Sequence, residues 1–344
     1  MLILLKLSTL KRYLLISLFL TLPIHAAEEK KADENLAAEV AGLAEPESTK
    51  PDREKEISTL IEKSFRGGEA VWLGDVDDAS LALYKENTWK DTQGAILLLH
   101  DLGANADWPQ LINPLRLAFP KKGWHTLSLQ LPMVTPDVEK KVYLGQFDEA
   151  VARVGTGIEF LKQKNISNIV IVGHGFGSAI GIFYLSQNPK SSVSAMVAIS
   201  LVGENTLNIS KADKESEESI TDPVDPDPGA QKQPLEKQAE KPVTEPPANA
   251  KELAEPPLPD RSIMAEMEKI KIPFLDIYGQ LDHQDVIREA ESRLELMQKA
   301  DNPAFFQWKI EGADHYFRGA EKLMIKRLRG WLKKHAEGME VTVP

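Results

Sequence analysis

Four β-branched residues in a row, Ile169-Val170-Ile171-Val172, run directly into Gly173-His174-Gly175-Phe176-Gly177-Ser178. A strand of that composition suits a sheet covered on both faces. Glycines at alternate positions then permit a turn too sharp for ordinary side chains. The apolar stretch from Ser178 to about Gln187 reads as a helix. Strand, tight turn and helix in direct succession form the unit of a parallel sheet, and the rest of the chain must fit around it.

The flanking sequence does fit. Strands are predicted at Ala70–Asp75 and Ser80–Lys85, then at Ala95–His100 and His125–Leu131, and after the central strand at Ser194–Val202. Helical periodicity covers Asp107–Phe119, interrupted by Pro114, and Phe147–Lys164. After residue 260 the pattern resumes with a helix near Ile263–Lys269, a strand at Pro273–Gly279, a helix at Val286–Lys299, a strand at Phe305–Ile310 and a helix from Tyr316 to about His335. Alternation of this kind predicts an α/β fold: a mostly parallel sheet with helices on both faces. The domain is expected to comprise residues 70–203 and 261–340.

Three segments fall outside that pattern. Residues 1–26 carry Lys6, Lys11 and Arg12, a short apolar run from Tyr13 to Leu22, and small residues up to Ala26. This has the make-up of a secretory signal peptide, with an uncleaved N-terminal anchor as the alternative. Residues 27–69 begin rich in Ala, Glu and Lys and are expected to be a disordered tether, with a short helix over Pro51–Phe65. Residues 204–260 are crowded with Pro, Glu, Asp and Lys and lack aromatic residues, so a disordered insertion is expected there.

The chain has no cysteine, which excludes disulfides, thiolate nucleophiles and cysteine metal sites. That absence also suits export to a bacterial periplasm, where a stray thiol would be oxidised. The formal net charge of −11 argues against nucleic acid as a partner.

The Gly173–Gly177 turn has the spacing of the nucleophile elbow, G-x-S-x-G, of the α/β-hydrolases. Three further pieces stand in the order of that superfamily, each after a predicted strand. His100-Asp101-Leu102-Gly103 resembles its H-G-x-G oxyanion loop, with Asp101 in place of the first glycine. Asp282, in Tyr278-Gly279-Gln280-Leu281-Asp282, stands where the acid of the catalytic triad is found. His315, in Gly312-Ala313-Asp314-His315-Tyr316-Phe317, stands where the triad histidine is found. The chain therefore resembles an α/β-hydrolase from about Val71 to Met339, with the insertion at the lid position. Its Asp107-Trp108-Pro109, Leu115-Arg116 and Gly123-Trp124 strings further resemble an uncharacterised group of exported bacterial proteins of this fold. The resemblance implies Asp282 and His315 as catalytic residues and the N–H groups of Leu102 and Phe176 as oxyanion donors.

The chain departs from the superfamily at the decisive position. The residue that should be serine is Gly175, which offers no nucleophile. Ser178 lies in the first turn of the following helix and is the weaker alternative; Ser200, at the end of the next strand, is weaker still. His174 precedes the elbow position and reads as a packing residue, because no H-x-x-x-H or H-x-H spacing accompanies it and no metal is expected. The glycines also approximate a dinucleotide fingerprint. However, the first acidic residue after them is Glu204, too far on for the ribose carboxylate, so no cofactor is expected.

Two functional classes remain. One is a serine-less, non-catalytic protein that binds a small molecule or an envelope protein. The other is an ester- or amide-type hydrolase in which His315 and Asp282 activate water or a displaced serine. The last helix, with Lys322, Lys326, Arg327, Arg329, Lys333 and Lys334, adds the alternatives of weak contact with an anionic membrane surface or a solvated cationic face.

Overall fold

The computed structural model describes residues 53–75, 78–133, 140–207 and 261–338. Residues 1–26, expected to be a signal peptide, most of the expected tether and residues 208–260 of the expected insertion lie outside the described residues. Among the described residues, no helix is long and apolar enough to cross a membrane.

Among the described residues, eight strands form one sheet. They are β1 (Glu69–Leu73), β2 (Ser80–Lys85), β3 (Gly94–Leu99), β4 (Trp124–Leu129), β5 (Ile169–His174), β6 (Val193–Ile199), β7 (Phe274–Leu281) and β8 (Phe305–Asp314). Their order is β1-β2-β4-β3-β5-β6-β7-β8. The β1–β2 and β2–β4 pairs are antiparallel and the remaining pairs are parallel. The helices are α1 (Arg53–Ser64), α2 (Ile112–Ala118), α3 (Lys140–Gly145), α4 (Phe147–Gln163), α5 (Phe176–Gln187), α6 (Ile263–Glu268), α7 (Gln284–Lys299) and α8 (Glu321–His335).

Alternation along the strands divides the core in two. Ala95, Leu97 and Leu99 of β3 and Ile169 and Ile171 of β5 pack with residues of α4, α5 and α6. Ile96 and Leu98, with Val170 and Val172, face the opposite layer of Leu115, Leu328 and Trp331 from α2 and α8. Each aliphatic side chain taken fully out of water in this way stabilises the fold by about 1.5–3 kcal/mol. One buried ion pair ties β7 to α7: Arg293 Nε donates to Asp276 Oδ2 at 2.8 Å, and Gln307 Nε2 donates to the same oxygen at 3.0 Å.

The expected elements are present, with shifted ends. Pro114 lies in the first turn of α2 rather than interrupting a longer helix. A first-turn residue has no intrahelical partner for its N–H, so proline is tolerated there. β8 runs to Asp314, four residues beyond its apolar stretch, and α8 starts at Glu321 rather than Tyr316. The residues between form a turn in which Phe317 takes φ 54°. Leu323 of α8 is exposed and Leu332 is buried, while all six cations of the helix point to solvent.

The insertion begins in an ordered turn. Glu204–Leu207 forms a 3-10 helix. The Glu204 carboxylate accepts from Ser262 Oγ at 2.5 Å and from Ile263 N at 2.6 Å, so it sits at the start of α6. The two ends of the insertion are thereby held together.

Candidate functional site

Four connections at the C-terminal edge of the parallel strands converge. These are the elbow between β5 and α5, the loop after β3, and the turns after β7 and β8. At the elbow, Gly175 has φ 53° and ψ −118°. A residue with a side chain is strained by about 1–3 kcal/mol in such backbone geometry, which glycine adopts freely. Gly177 brings the second loop close: a Cβ there would lie 2.5 Å from the carbonyl oxygens of both Leu99 and His100.

That loop supplies the decisive side chain. A Cβ built on Gly175 would lie 2.0 Å from Asp101 Oδ1, 2.2 Å from its Cγ and 2.6 Å from its Oδ2. The Asp101 carboxylate therefore occupies the space that a serine side chain would fill. It also accepts the Phe176 N–H at 2.6 Å through Oδ1, so one of the two expected oxyanion donors is already engaged. Leu102 is exposed beside it. His100 fixes the loop from behind. Its Nε2 accepts the Leu131 N–H at 3.0 Å, which leaves Nδ1 to donate to the Asp101 carbonyl at 2.8 Å. Burial pushes the His100 imidazole down to about 4, consistent with a neutral ring.

His315 joins Asp101 to Asp282. Its Nδ1 lies 2.7 Å from Asp282 Oδ1 and its Nε2 lies 2.9 Å from Asp101 Oδ2. Asp282 is itself held by Ser200, whose Oγ donates to Oδ2 at 2.5 Å, and by the Gly279 N–H at 3.1 Å. Burial opposes a charge on His315, but hydrogen bonds to Asp101 and Asp282, together with their negative charges, raise it to about 9. Burial likewise opposes charge on Asp101, and the bond to His315, electrostatic attraction to the His174 and His315 rings and the Phe176 N–H together lower it to about 2. Asp282 is shifted down too, against its burial, by His315, Ser200 and the Gly279 N–H. The arrangement is an imidazole between two carboxylates, which favour its protonated form. While protonated, His315 has no lone pair to accept a proton and cannot act as a general base.

The weaker serine candidates are placed elsewhere. Ser178 is fully buried in α5, where its Oγ donates to the Ile199 carbonyl and accepts the Ile199 N–H, both at 3.2 Å. Ser200 orients Asp282 rather than standing at the elbow tip.

Two further histidines lie against His315. His174 is fully buried; its Nε2 donates to the His315 carbonyl at 2.9 Å, and its Nδ1 has no hydrogen-bond partner among the described residues. Burial pushes its pKa down, against the pull of Asp101. His283 is exposed and stacks on His315, with ring centroids 3.9 Å apart and planes at 9°. His283 follows Asp282 directly, yet nothing in its sequence setting marks it as a stacking partner. Asp101 was legible only as a glycine replaced. The signal for its role was a pair of departures in facing loops, a side chain gained at 101 and one lost at 175.

Comparison with curated protein sequences returns no match. Solved structures share the architecture. A dienelactone hydrolase from Anabaena variabilis superposes with a TM-score of 0.51 at 15% identity, covering 78% of this chain and 98% of that one. An esterase from Pyrococcus furiosus gives 0.53 at 15% identity, covering 78% and 90%. An acylaminoacyl peptidase from Pyrococcus horikoshii gives 0.54 at 12% identity, covering 82% of this chain and 44% of that one. At such identities the likeness establishes the α/β-hydrolase fold. The sequence family described as "Protein of unknown function (DUF3530)" matches residues 11–144 and 248–334, more than half of the chain, and this protein belongs to that family.

Proposed function

We propose that this is an exported α/β-hydrolase-fold protein that has given up serine-based acyl transfer and binds a ligand or an envelope partner through its former active-site edge. The observation that carries this reading is the position of the Asp101 carboxylate, which would overlap any Cβ at residue 175 and takes the Phe176 N–H. Acyl transfer by the superfamily's route needs a hydroxyl at the elbow tip, a neutral histidine and free oxyanion donors. Here the hydroxyl is absent, the histidine is held between two carboxylates, and the Phe176 donor is engaged. Export is supported by the sequence of residues 1–26 alone.

A second reading keeps the site catalytic, with the His315–Asp282 dyad activating water or a displaced serine. The 2.7 Å contact between His315 and Asp282 favours it, since that pair would orient the imidazole for general-base work. Against it, His315 Nε2 is already taken by Asp101, and Ser178 is bonded into the Ile199 backbone.

The test is reactivity of the purified protein toward fluorophosphonate probes and a panel of simple esters. Neither labelling nor turnover is expected. Ester turnover that disappears in His315→Ala would replace this reading with the dyad mechanism. A covalent ester recovered on Asp101 would instead make that carboxylate a nucleophile.

A further inference from the structure

The geometry points to a first-row divalent metal ion of the zinc type as the ligand of this edge, held by Asp101, His174 Nδ1 and His315 Nε2. The inference rests on the reading that the edge binds rather than acylates. One donor atom from each of the three residues lies within 4.8 Å of the others, and all three residues are buried. Donors bound at about 2.0–2.2 Å around one ion sit closer together than that limit, so small side-chain rotations suffice to gather them.

The strongest single observation is His174. Its ring is fully buried, and Nε2 is committed as a donor to the His315 carbonyl. A carbonyl can only accept, so Nε2 carries the hydrogen and the unpartnered Nδ1 presents its lone pair. A buried, unpartnered acceptor is costly, and native proteins seldom retain one without a use. A cation at the Asp101 and His315 side would satisfy it.

The surroundings have the form expected of a metal's outer shell. A metal-binding histidine donates its other ring N–H to a carbonyl or carboxylate, which fixes the ring and its tautomer. Both histidines here are held in that way, His174 by the His315 carbonyl and His315 by Asp282 Oδ1. Asp282 is in turn oriented by Ser200. Asp101 Oδ1 is anchored by the Phe176 N–H, and an ion would take the place of the proton that lies between Oδ2 and His315 Nε2, so binding releases that proton. Glycine at 175 leaves the space in which that carboxylate sits. Two imidazoles and one carboxylate favour Zn²⁺ and its neighbours over Mg²⁺ or Ca²⁺, which prefer all-oxygen shells.

A second grouping, Asp282, His283 and His315, also satisfies the distance criterion. Its third member, His283, is exposed, and both Asp282 oxygens already accept further hydrogen bonds, from Ser200 Oγ, the Gly279 N–H and the His283 N–H. The experiment separates the two. Purified full chain is stripped with chelator, then titrated with Zn²⁺ by calorimetry and with Co²⁺ by visible absorption. Wild type and His283→Gln should each bind one equivalent and show the ligand-field bands of a low-coordinate Co²⁺ site. Asp101→Asn and His174→Gln, checked for folding by circular dichroism, should lose both signals. Asp282→Asn, which alters only the group orienting His315, should weaken binding about 10–100-fold. If His174→Gln fails to fold, Asp101→Asn and the Co²⁺ spectrum of wild type still decide the matter. The proposal is overturned if folded wild type binds no metal, if Asp101→Asn binds as well as wild type, or if His283→Gln abolishes binding. In those cases, continued lack of fluorophosphonate labelling leaves the serine-less reading standing. Labelling of wild type would remove that reading regardless of metal.

Discussion

Asp101 Oδ1 lies 2.0 Å from the point where Gly175 would carry a Cβ, so one residue's carboxylate occupies the other's missing side chain. The two departures from the hydrolase pattern, aspartate for glycine at 101 and glycine for serine at 175, are a single structural substitution. Restoring only one should therefore not restore a serine site. Gly175→Ser alone should remain unlabelled by fluorophosphonate and should lose stability, about 1–3 kcal/mol from backbone strain and about 1–3 kcal/mol more from overlap with Asp101. The double variant Asp101→Gly/Gly175→Ser frees the space, the Phe176 N–H and His315 Nε2 together, and should label. Labelling of the Gly175→Ser single variant to the same extent as the double would show that Asp101 does not block the elbow.

The Asp276–Arg293 pair should be a second point of vulnerability, far from any chemistry. Both side chains are almost completely removed from solvent. Breaking a buried pair by removing one partner strands the other charge, at a cost of about 3–5 kcal/mol. Arg293→Ala should show that loss in chemical denaturation. Replacing both, as in Asp276→Leu/Arg293→Met, should recover much of it.

His125 gives the fold an acid-sensitive corner. Tyr84 Oη lies 2.7 Å from its Nδ1 and Asn87 Nδ2 lies 3.0 Å from its Nε2. Burial, the largest influence, lowers its pKa; Glu86 pulls the other way. A histidine whose folded pKa is depressed binds its proton more readily when unfolded, so its contribution is complete above the unfolded value near 6.5. That contribution is lost as pH falls below 6.5 and through the lower folded value. Thermal unfolding between pH 7.5 and 5 should therefore show a steeper loss of Tm in wild type than in His125→Gln. Parallel curves would exclude this residue as a source of acid sensitivity.

The insertion should be dispensable to the fold. Glu204 holds the two ends together through Ser262 Oγ and Ile263 N, so a short linker can replace residues 210–258. The closure cost changes by only about 0.6 kcal/mol per doubling of loop length. Such a variant should unfold cooperatively within a few degrees of wild type. A large drop in Tm would show that the insertion packs on the domain. Glu204→Ala in the shortened chain should cost about 1–2 kcal/mol, since it removes the acceptor at the start of α6.

The sequence by itself determined the architecture. Continuous β-branched and aliphatic runs can be satisfied only by strands buried on both faces, and the helices between them force parallel pairing. It also placed Asp282, His315 and the Gly175 turn at strand ends, because chain order and strand periodicity are local properties. Local spacing gave no reason to expect a metal, and the donors of the proposed site come from residues as far apart as Asp101 and His315, which are 214 positions distant. No spacing rule reaches across that separation. Only the tertiary structure decided what fills the elbow, because whether Asp101 points to solvent or into the space at Gly175 depends on the approach of two loops across Gly177. The same holds for the free Nδ1 of His174. Its identity as an acceptor follows from a carbonyl contributed by His315, 141 residues later in the chain.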